Sequence, residues 1–215
     1  GIIIEPVQGE GGIRPASQEF LKSLRELCDE HDLLLMFDEV QCGVGRSGTL
    51  FAHEHYAIEP DVMAIAKGLG GGFPVGACLA NEAVSSSMQF GSHGSTFGGN
   101  PLAMAVADAV LDLVLEPSLL KDVNSKASFL VKELEALTIK YPQSISSVHG
   151  LGLMLGVKCV GENTKLLLEL REHGLLVGKS GDNMIRLLPP LNVSQAELER
   201  ALTLIETVLQ NTEVT

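Results

Sequence analysis

The chain has no Cys-x-x-Cys pair, no excess of basic charge and no apolar run approaching the ~18 residues needed to cross a bilayer. Each absence excludes a class. Cys28, Cys42, Cys78 and Cys159 lie 14, 36 and 81 positions apart. That spacing forms neither a zinc knuckle nor a redox pair, and predicts buried or half-buried free thiols in a reducing, cytoplasmic setting. Lys and Arg number 15 against 27 Asp and Glu, a net charge of −12, which excludes the basic face that displaces counterions from nucleic-acid phosphates. Apart from the pair His53 and His55, the histidines lack metal-ligand spacing, so no metal is expected. There is no internal repeat or low-complexity tract, and 45% apolar residues exclude disorder. The opening Gly1-Ile2-Ile3-Ile4 carries no Met, basic region or cleavage site. It is expected to be the middle of a buried strand rather than a signal peptide.

A length of 215 residues suits one large domain or two modest ones. Glycine is plentiful, 23 residues, clustered at 9–12, 43–48, 68–72, 91–99 and 150–156, as in shaped loops between apolar runs. Charge divides the chain near Glu116-Pro117. Residues 1–116 hold 5 basic and 16 acidic side chains, and residues 117–215 hold 10 and 11. Two domains, 1–116 and 117–215, are therefore predicted.

In the first, Gly1–Glu5, Leu33–Phe37 and Asp61–Ala66 read as short buried strands. A helix capped by Ser17 carries the stripe Phe20, Leu21, Leu24, Leu27 and Cys28. Strands alternating with helical segments predict a parallel α/β sheet. An Ala-rich helix follows over Pro101–Leu115, then one faced by Leu120, Val123, Ala127, Leu130, Leu134 and Leu137. In the second domain, Ser147–Lys158 and Leu175–Leu188 read as strands, and Thr164–His173 as a helix stopped by Gly174. Ser194 with Glu197 forms a capping box, with Val193 stapled on Leu198, before a stripe of Leu198, Leu202, Ile205 and Leu209. The carboxy-terminal part is α+β.

Ligands of parallel α/β sheets bind beyond the carboxyl ends of the strands, where Glu5, Asp38 and Lys67 fall. Burying Asp38 costs several kcal/mol unless a cation pairs with it. Lys67 comes 29 residues later, after a helix-sized crossover and a second apolar strand, which would bring it over the same edge. A partly desolvated lysine is a usable amine nucleophile for Schiff-base chemistry, and a carboxylate facing a pyridinium nitrogen keeps that ring an electron sink. One anion and one lysine so placed suit pyridoxal phosphate. From spacing alone, a plain Asp–Lys ion pair is equally open.

Four segments occur in order: Gly1-Ile-Ile-Ile-Glu-Pro-Val-Gln-Gly-Glu-Gly-Gly12, Phe37-Asp-Glu-Val-Gln-Cys-Gly-Val-Gly-Arg-Ser-Gly48, Ala66-Lys-Gly-Leu-Gly-Gly-Gly-Phe-Pro-Val-Gly76 and His93-Gly-Ser-Thr-Phe-Gly-Gly-Asn-Pro101. Together they resemble the class III pyridoxal-phosphate-dependent aminotransferases, nearest in wording to the branch acting on N-acetylornithine. The resemblance runs to Arg186-Leu-Leu-Pro-Pro-Leu191. It implies a fold-type-I α/β architecture: part of a large, mostly parallel-sheet domain plus a small α+β domain. It also implies transfer of an amino group from N-acetylornithine to 2-oxoglutarate in the biosynthesis of arginine or lysine. Lys67 matches the Schiff-base lysine, Asp38 the partner of the pyridinium nitrogen, Val40 the ring-packing residue and Gln41 the neighbour of the 3-hydroxyl. Glu39 is grouped with these cofactor-binding residues. Thr96 matches the threonine reaching the partner's cofactor phosphate across a homodimer with shared sites, and Ser95 a substrate contact. Arg186 resembles the arginine that binds the α-carboxylate of glutamate and 2-oxoglutarate, and Glu10 the gate that pairs with it. An arginine fork takes a carboxylate bidentately from substrate or protein, which lets one site serve two substrates.

Around these residues, Glu5 is expected to support polar neighbours, Arg46 to brace its loop, and His93 to be a hydrogen-bonded loop residue. The resemblance begins partway along the family's chain. The family's phosphate cradle, stacking aromatic ring and acetyl-substrate arginine lie upstream of the matching region. A partial chain that does not transaminate by itself is therefore expected. Ornithine, γ-aminobutyrate and succinyl-diaminopimelate aminotransferases carry similar residues and remain alternatives, as does a non-catalytic module of the same fold. A P-loop hydrolase would explain Leu33–Glu39 as a Walker B strand, but no GxxxxGK[ST] accompanies it.

Overall fold

The computed structural model describes residues 1–212. In chain order it begins with β1 (Ile2–Ile4), the short pair β2 (Val7–Gln8) and β3 (Arg14–Pro15), α1 (Gln18–Glu30) and β4 (Leu35–Asp38). Strands β5 (Val62–Ile65) and β6 (Ala77–Ala80) follow, then α2 (Glu82–Ser85), α3 (Pro101–Val114) and α4 (Pro117–Lys140). The remainder is β7 (Ile145–Leu151), β8 (Met154–Cys159), α5 (Asn163–Glu172), β9 (Gly178–Ser180), β10 (Met184–Leu187) and α6 (Gln195–Thr212).

The chain forms two compact units. One comprises Gly1–Pro6 and Ala16–Leu120, the other Val7–Pro15 and Lys121–Thr215. The change of unit near residue 120 lies four residues beyond the division read from charge. Val7–Pro15 differs more: read as part of the first domain, it belongs to the second unit.

The first unit is built on a four-stranded sheet of order β1-β4-β5-β6, parallel across β1, β4 and β5 and antiparallel at β6. Ser17 caps α1, its hydroxyl accepting from Phe20 N–H at 3.2 Å. Only part of the predicted stripe is inside: Leu21 and Cys28 are buried with Leu35, Phe37, Tyr56 and Ile58, whereas Phe20 and Leu27 face out. The stripe is wider than the surface it covers. The segment between β4 and β5 also departs from expectation. Although long enough for an α-helix, it contains one 3-10 turn, Ala52–Tyr56, because the glycines at 43, 45 and 48 favour turns. Cys28 and Cys42 are buried free thiols, while Cys78 is exposed on β6.

The second unit has an antiparallel sheet of order β7-β8-β10-β9. Each span read from sequence as one strand is a hairpin. Gly152, at φ 58°, opens the two-residue turn joining β7 to β8. Asp182 and Asn183, at φ 55° and 58°, turn β9 into β10, a conformation short polar side chains tolerate. Behind the sheet, Val123, Ala127, Leu130, Leu134 and Leu137 of α4 meet Leu198, Ile205, Val208 and Leu209 of α6. The capping box forms as expected: Glu197 N–H donates to Ser194 Oγ at 3.2 Å, and Ser194 N–H donates to Glu197 Oε2 at 2.7 Å.

Asp182 is the electrostatic hub of that second turn. Lys158 Nζ lies 2.8 Å from one carboxylate oxygen and the Arg14 guanidinium 2.7 Å from the other. Lys158 first, then Arg14, hold the Asp182 carboxyl down at about 2, below the usual range of an aspartate. A carboxyl depressed on folding stabilises the fold above its unfolded pKa, and that contribution disappears as pH falls from about 4 to about 2. Asp182→Asn should flatten the acid limb of stability in that window, read as urea midpoints for both proteins between pH 2 and 5. Identical slopes would contradict it.

Candidate active site

Parallel register sets the cluster of candidate residues in the first unit. Ile4 pairs with Phe37 and Asp38 with Ala64, so Glu5, Asp38 and Lys67 stand at the same end of three adjacent strands. Lys67 leaves the sheet at φ 42°, a left-handed conformation costing roughly 1–3 kcal/mol in a non-glycine residue, and opens the 3-10 turn Lys67–Gly70. Its side chain is exposed. Asp38 is half-buried, with Oδ1 accepting from Val40 N–H at 3.0 Å. Among the described residues, Asp38 and Lys67 form no ion pair with one another. The simple pair left open by the spacing is not made, and a carboxylate and an amine stand at the same end of two neighbouring parallel strands.

Glu39 points elsewhere. Its carboxylate is wholly buried and receives Ala52 N–H at 2.5 Å and His53 N–H at 2.9 Å, with His53 Nδ1 also 2.9 Å away. It organises the crossover rather than facing a ligand at the sheet edge. Gly43 lies against it so closely that a Cβ there would come 2.8 Å from the Glu39 carbonyl oxygen. His53, whose sequence position offers no signal of this role, stacks on Phe51 with ring centroids 5.7 Å apart. Val40 and Gln41 are half-buried at the start of this loop. Further along it, burial pushes the Arg46 guanidinium down to about 10, leaving it a cation at neutral pH. Ser95, Thr96 and His93 are exposed, and Ser95 Oγ accepts from Gly98 N–H at 3.0 Å.

A separate cluster of candidate residues lies within the other unit. Arg186, on β10, is paired directly with Gly156 of β8 and Gly178 of β9, so glycine flanks it on both sides. A Cβ at Gly178 would come 3.1 Å from Arg186 Nε. Arg186 forms an ion pair with Glu10, which is 176 residues away in sequence. The Glu10 side chain is 75% exposed and that of Arg186 only 16%, so the anion is the more accessible member. The arginine and carboxylate expected to form a gate are in contact.

The sheet order and the lysine–carboxylate edge place the chain among fold-type-I pyridoxal-phosphate-dependent transferases, the architecture of its structural neighbours. The model of the aminotransferase class-III family matches residues 1–209, and the chain belongs to that family. It is similar to acetylornithine aminotransferase of Mesorhizobium japonicum, with 57% identity over 95% of this chain and 51% of that protein. Among solved structures, acetylornithine aminotransferase from Elizabethkingia anophelis superposes with a TM-score of 0.90 at 38% identity, covering 97% of this chain and 56% of that one. Ornithine aminotransferase from Toxoplasma gondii gives 0.91 at 32%, covering 98% and 51%. The chain spans about half the length of the curated relatives it matches. Among the described residues, no helix is long and apolar enough to cross a membrane.

Proposed function

We propose that the protein carrying this sequence transfers the amino group of N-acetylornithine to 2-oxoglutarate, using pyridoxal 5'-phosphate and Lys67. The observation that carries this reading is the juxtaposition of Asp38 and Lys67 at one sheet edge without an ion pair between them. A carboxylate with one oxygen occupied by Val40 N–H, beside an exposed primary amine, is a donor set that suits a pyridinium ring bearing an aldehyde. Asp38, Val40, Gln41 and Lys67 would hold the cofactor, which when bound supplies an electron sink for the substrate Cα. Asp38 would keep the ring nitrogen protonated, and Val40 would pack against the ring. Lys67 Nζ would take the proton from the substrate Cα and deliver it to the cofactor's aldehyde-derived carbon, C4′, on the far side of the transferred nitrogen. Glu39 serves the site through the loop it anchors.

Arg186 binds the carboxylate of glutamate or 2-oxoglutarate, and Glu10 occupies it when the amino donor enters. Thr96 reaches the cofactor phosphate of a second subunit, and Ser95 contacts substrate, which makes the active protein a homodimer with shared sites. Residues 1–116, apart from the hairpin Val7–Pro15 that clusters with the second unit, contribute to the large cofactor-binding domain and residues 117–215 form the small domain, in a cytoplasmic enzyme. The acetylated substrate is favoured by the relatives named for it: 57% identity for that of Mesorhizobium japonicum, against 32% for the Toxoplasma gondii ornithine enzyme. Initial rates with acetylornithine, ornithine and γ-aminobutyrate, each with 2-oxoglutarate, test the assignment. Acetylornithine should be turned over fastest, and a preference for free ornithine would overturn it.

A further inference from the structure

We infer that Ser180 is a positioning residue that sets how firmly Glu10 closes on Arg186. The inference rests on the reading of Arg186 as the substrate-carboxylate site and adds a residue that neither sequence motif nor family resemblance singled out. Ser180 is one of few buried polar side chains among the described residues, 5% exposed at the end of β9. Its hydroxyl donates to Gly9 O at 2.8 Å and lies 3.3 Å from Glu10 O. The next residue, Gly181, donates its N–H to Glu10 O at 2.8 Å, and a Cβ on Gly181 would come 2.9 Å from that same oxygen. The backbone of Glu10 is thus clasped against the β9–β10 turn, six residues before Arg186 on the same hairpin.

The other end of the loop is anchored independently. Ile13 is wholly buried at φ 48°, an outlier for a β-branched residue. A Cβ on Gly156 would come 3.0 Å from Ile13 Cβ, and Gly156 is the cross-strand partner of Arg186. The loop carrying the anion and the strand carrying the cation therefore share their supports. With its backbone fixed at both ends, the Glu10 carboxylate meets Arg186 with little conformational entropy left to lose. That makes it a stronger competitor against a ligand carboxylate. Removing the Ser180 hydroxyl loosens one anchor and leaves Ile13 in place.

Glutarate is an unreactive five-carbon dicarboxylate, and its binding to the 215-residue chain can be followed at the Arg186 Nε–H signal by nitrogen-15 NMR. Glu10→Gln should tighten binding by weakening the internal competitor. Ser180→Ala should tighten it about 3- to 10-fold, the scale set by one net hydrogen bond. Combined with Glu10→Gln, Ser180→Ala should add less than about twofold, because its action passes through the Glu10 carboxylate. Ser180→Cys, nearly isosteric with a weak donor, gives the same reading should the alanine variant unfold. Wild-type affinity in both Ser180 variants overturns the inference, and so does an equal shift in the Glu10→Gln background. Wild-type glutarate affinity in Arg186→Ala instead overturns the carboxylate-site reading beneath it.

Discussion

Replacing Lys67 by alanine should reduce amino transfer by at least about 10³-fold in the active protein that carries this sequence, the scale on which positioned proton-transfer groups act. Only two lysines precede residue 121, and the other, Lys22, lies on α1 with its ammonium 3.7 Å from Glu26. No second amine in the first unit stands at the carboxyl end of the sheet to take over. Lys67→Arg should be equally inactive, because guanidinium keeps the charge but does not supply a neutral amine at accessible pH. Single-turnover assays with glutamate as donor would measure both. Activity within about tenfold of the parent in either variant would remove Lys67 from the chemistry.

Glu39→Ala should have the largest effect on stability, about 3–5 kcal/mol, as expected when one side of a buried charged network is deleted. The carboxylate accepts from two backbone N–H groups, at Ala52 and His53, and contacts the His53 ring. Alanine would leave those donors buried without an acceptor, at a cost of roughly 1–3 kcal/mol each. Glu39→Gln keeps one carbonyl acceptor of nearly the same shape and should lose less than half as much. Denaturant midpoints for the first unit distinguish the two substitutions. A loss below about 1 kcal/mol for alanine would show that water or a rearranged loop satisfies those donors. Because Glu39 adjoins Asp38 and Val40, the alanine variant should also weaken cofactor binding, although the side chain points away from that edge.

What the sequence disclosed depended on range. Ser17, Ser194 with Glu197, and the α4 stripe are local signals whose hydrogen bonds and spacings span three or four residues, and each appears where periodicity places it. Asp38 and Lys67 were legible because a short apolar run ending in a charged residue marks the end of a parallel strand. Chain adjacency to Asp38 groups Glu39 with the cofactor residues but says nothing about direction, and its carboxylate accepts from Ala52 and His53 in the crossover. Successive side chains on a strand point to opposite faces, so the residue after a ligand-facing carboxylate is turned inward. The two hairpins over residues 145–159 and 178–187 escaped because their turns are single interruptions in otherwise apolar spans. Ser180 and Ile13 gave no signal, since their partners lie about 170 and 140 residues away along the chain.

The membership of Val7–Pro15 in the second unit has a consequence for the order of assembly. During synthesis this hairpin emerges before the rest of its unit, and the Ser180 hydroxyl that grips Gly9 is made 171 residues later. At about 5–20 residues per second on the ribosome, the segment bearing Glu10 waits some ten to thirty seconds with its docking surface unmade. Strand β1 has its neighbour β4 within about thirty residues, so the first sheet can start to form well before this hairpin finds its place. Native-like contact of Glu10 with Arg186 is therefore a late event in folding, and a slow step in maturation should be sought there before it is sought in the lysine-bearing sheet.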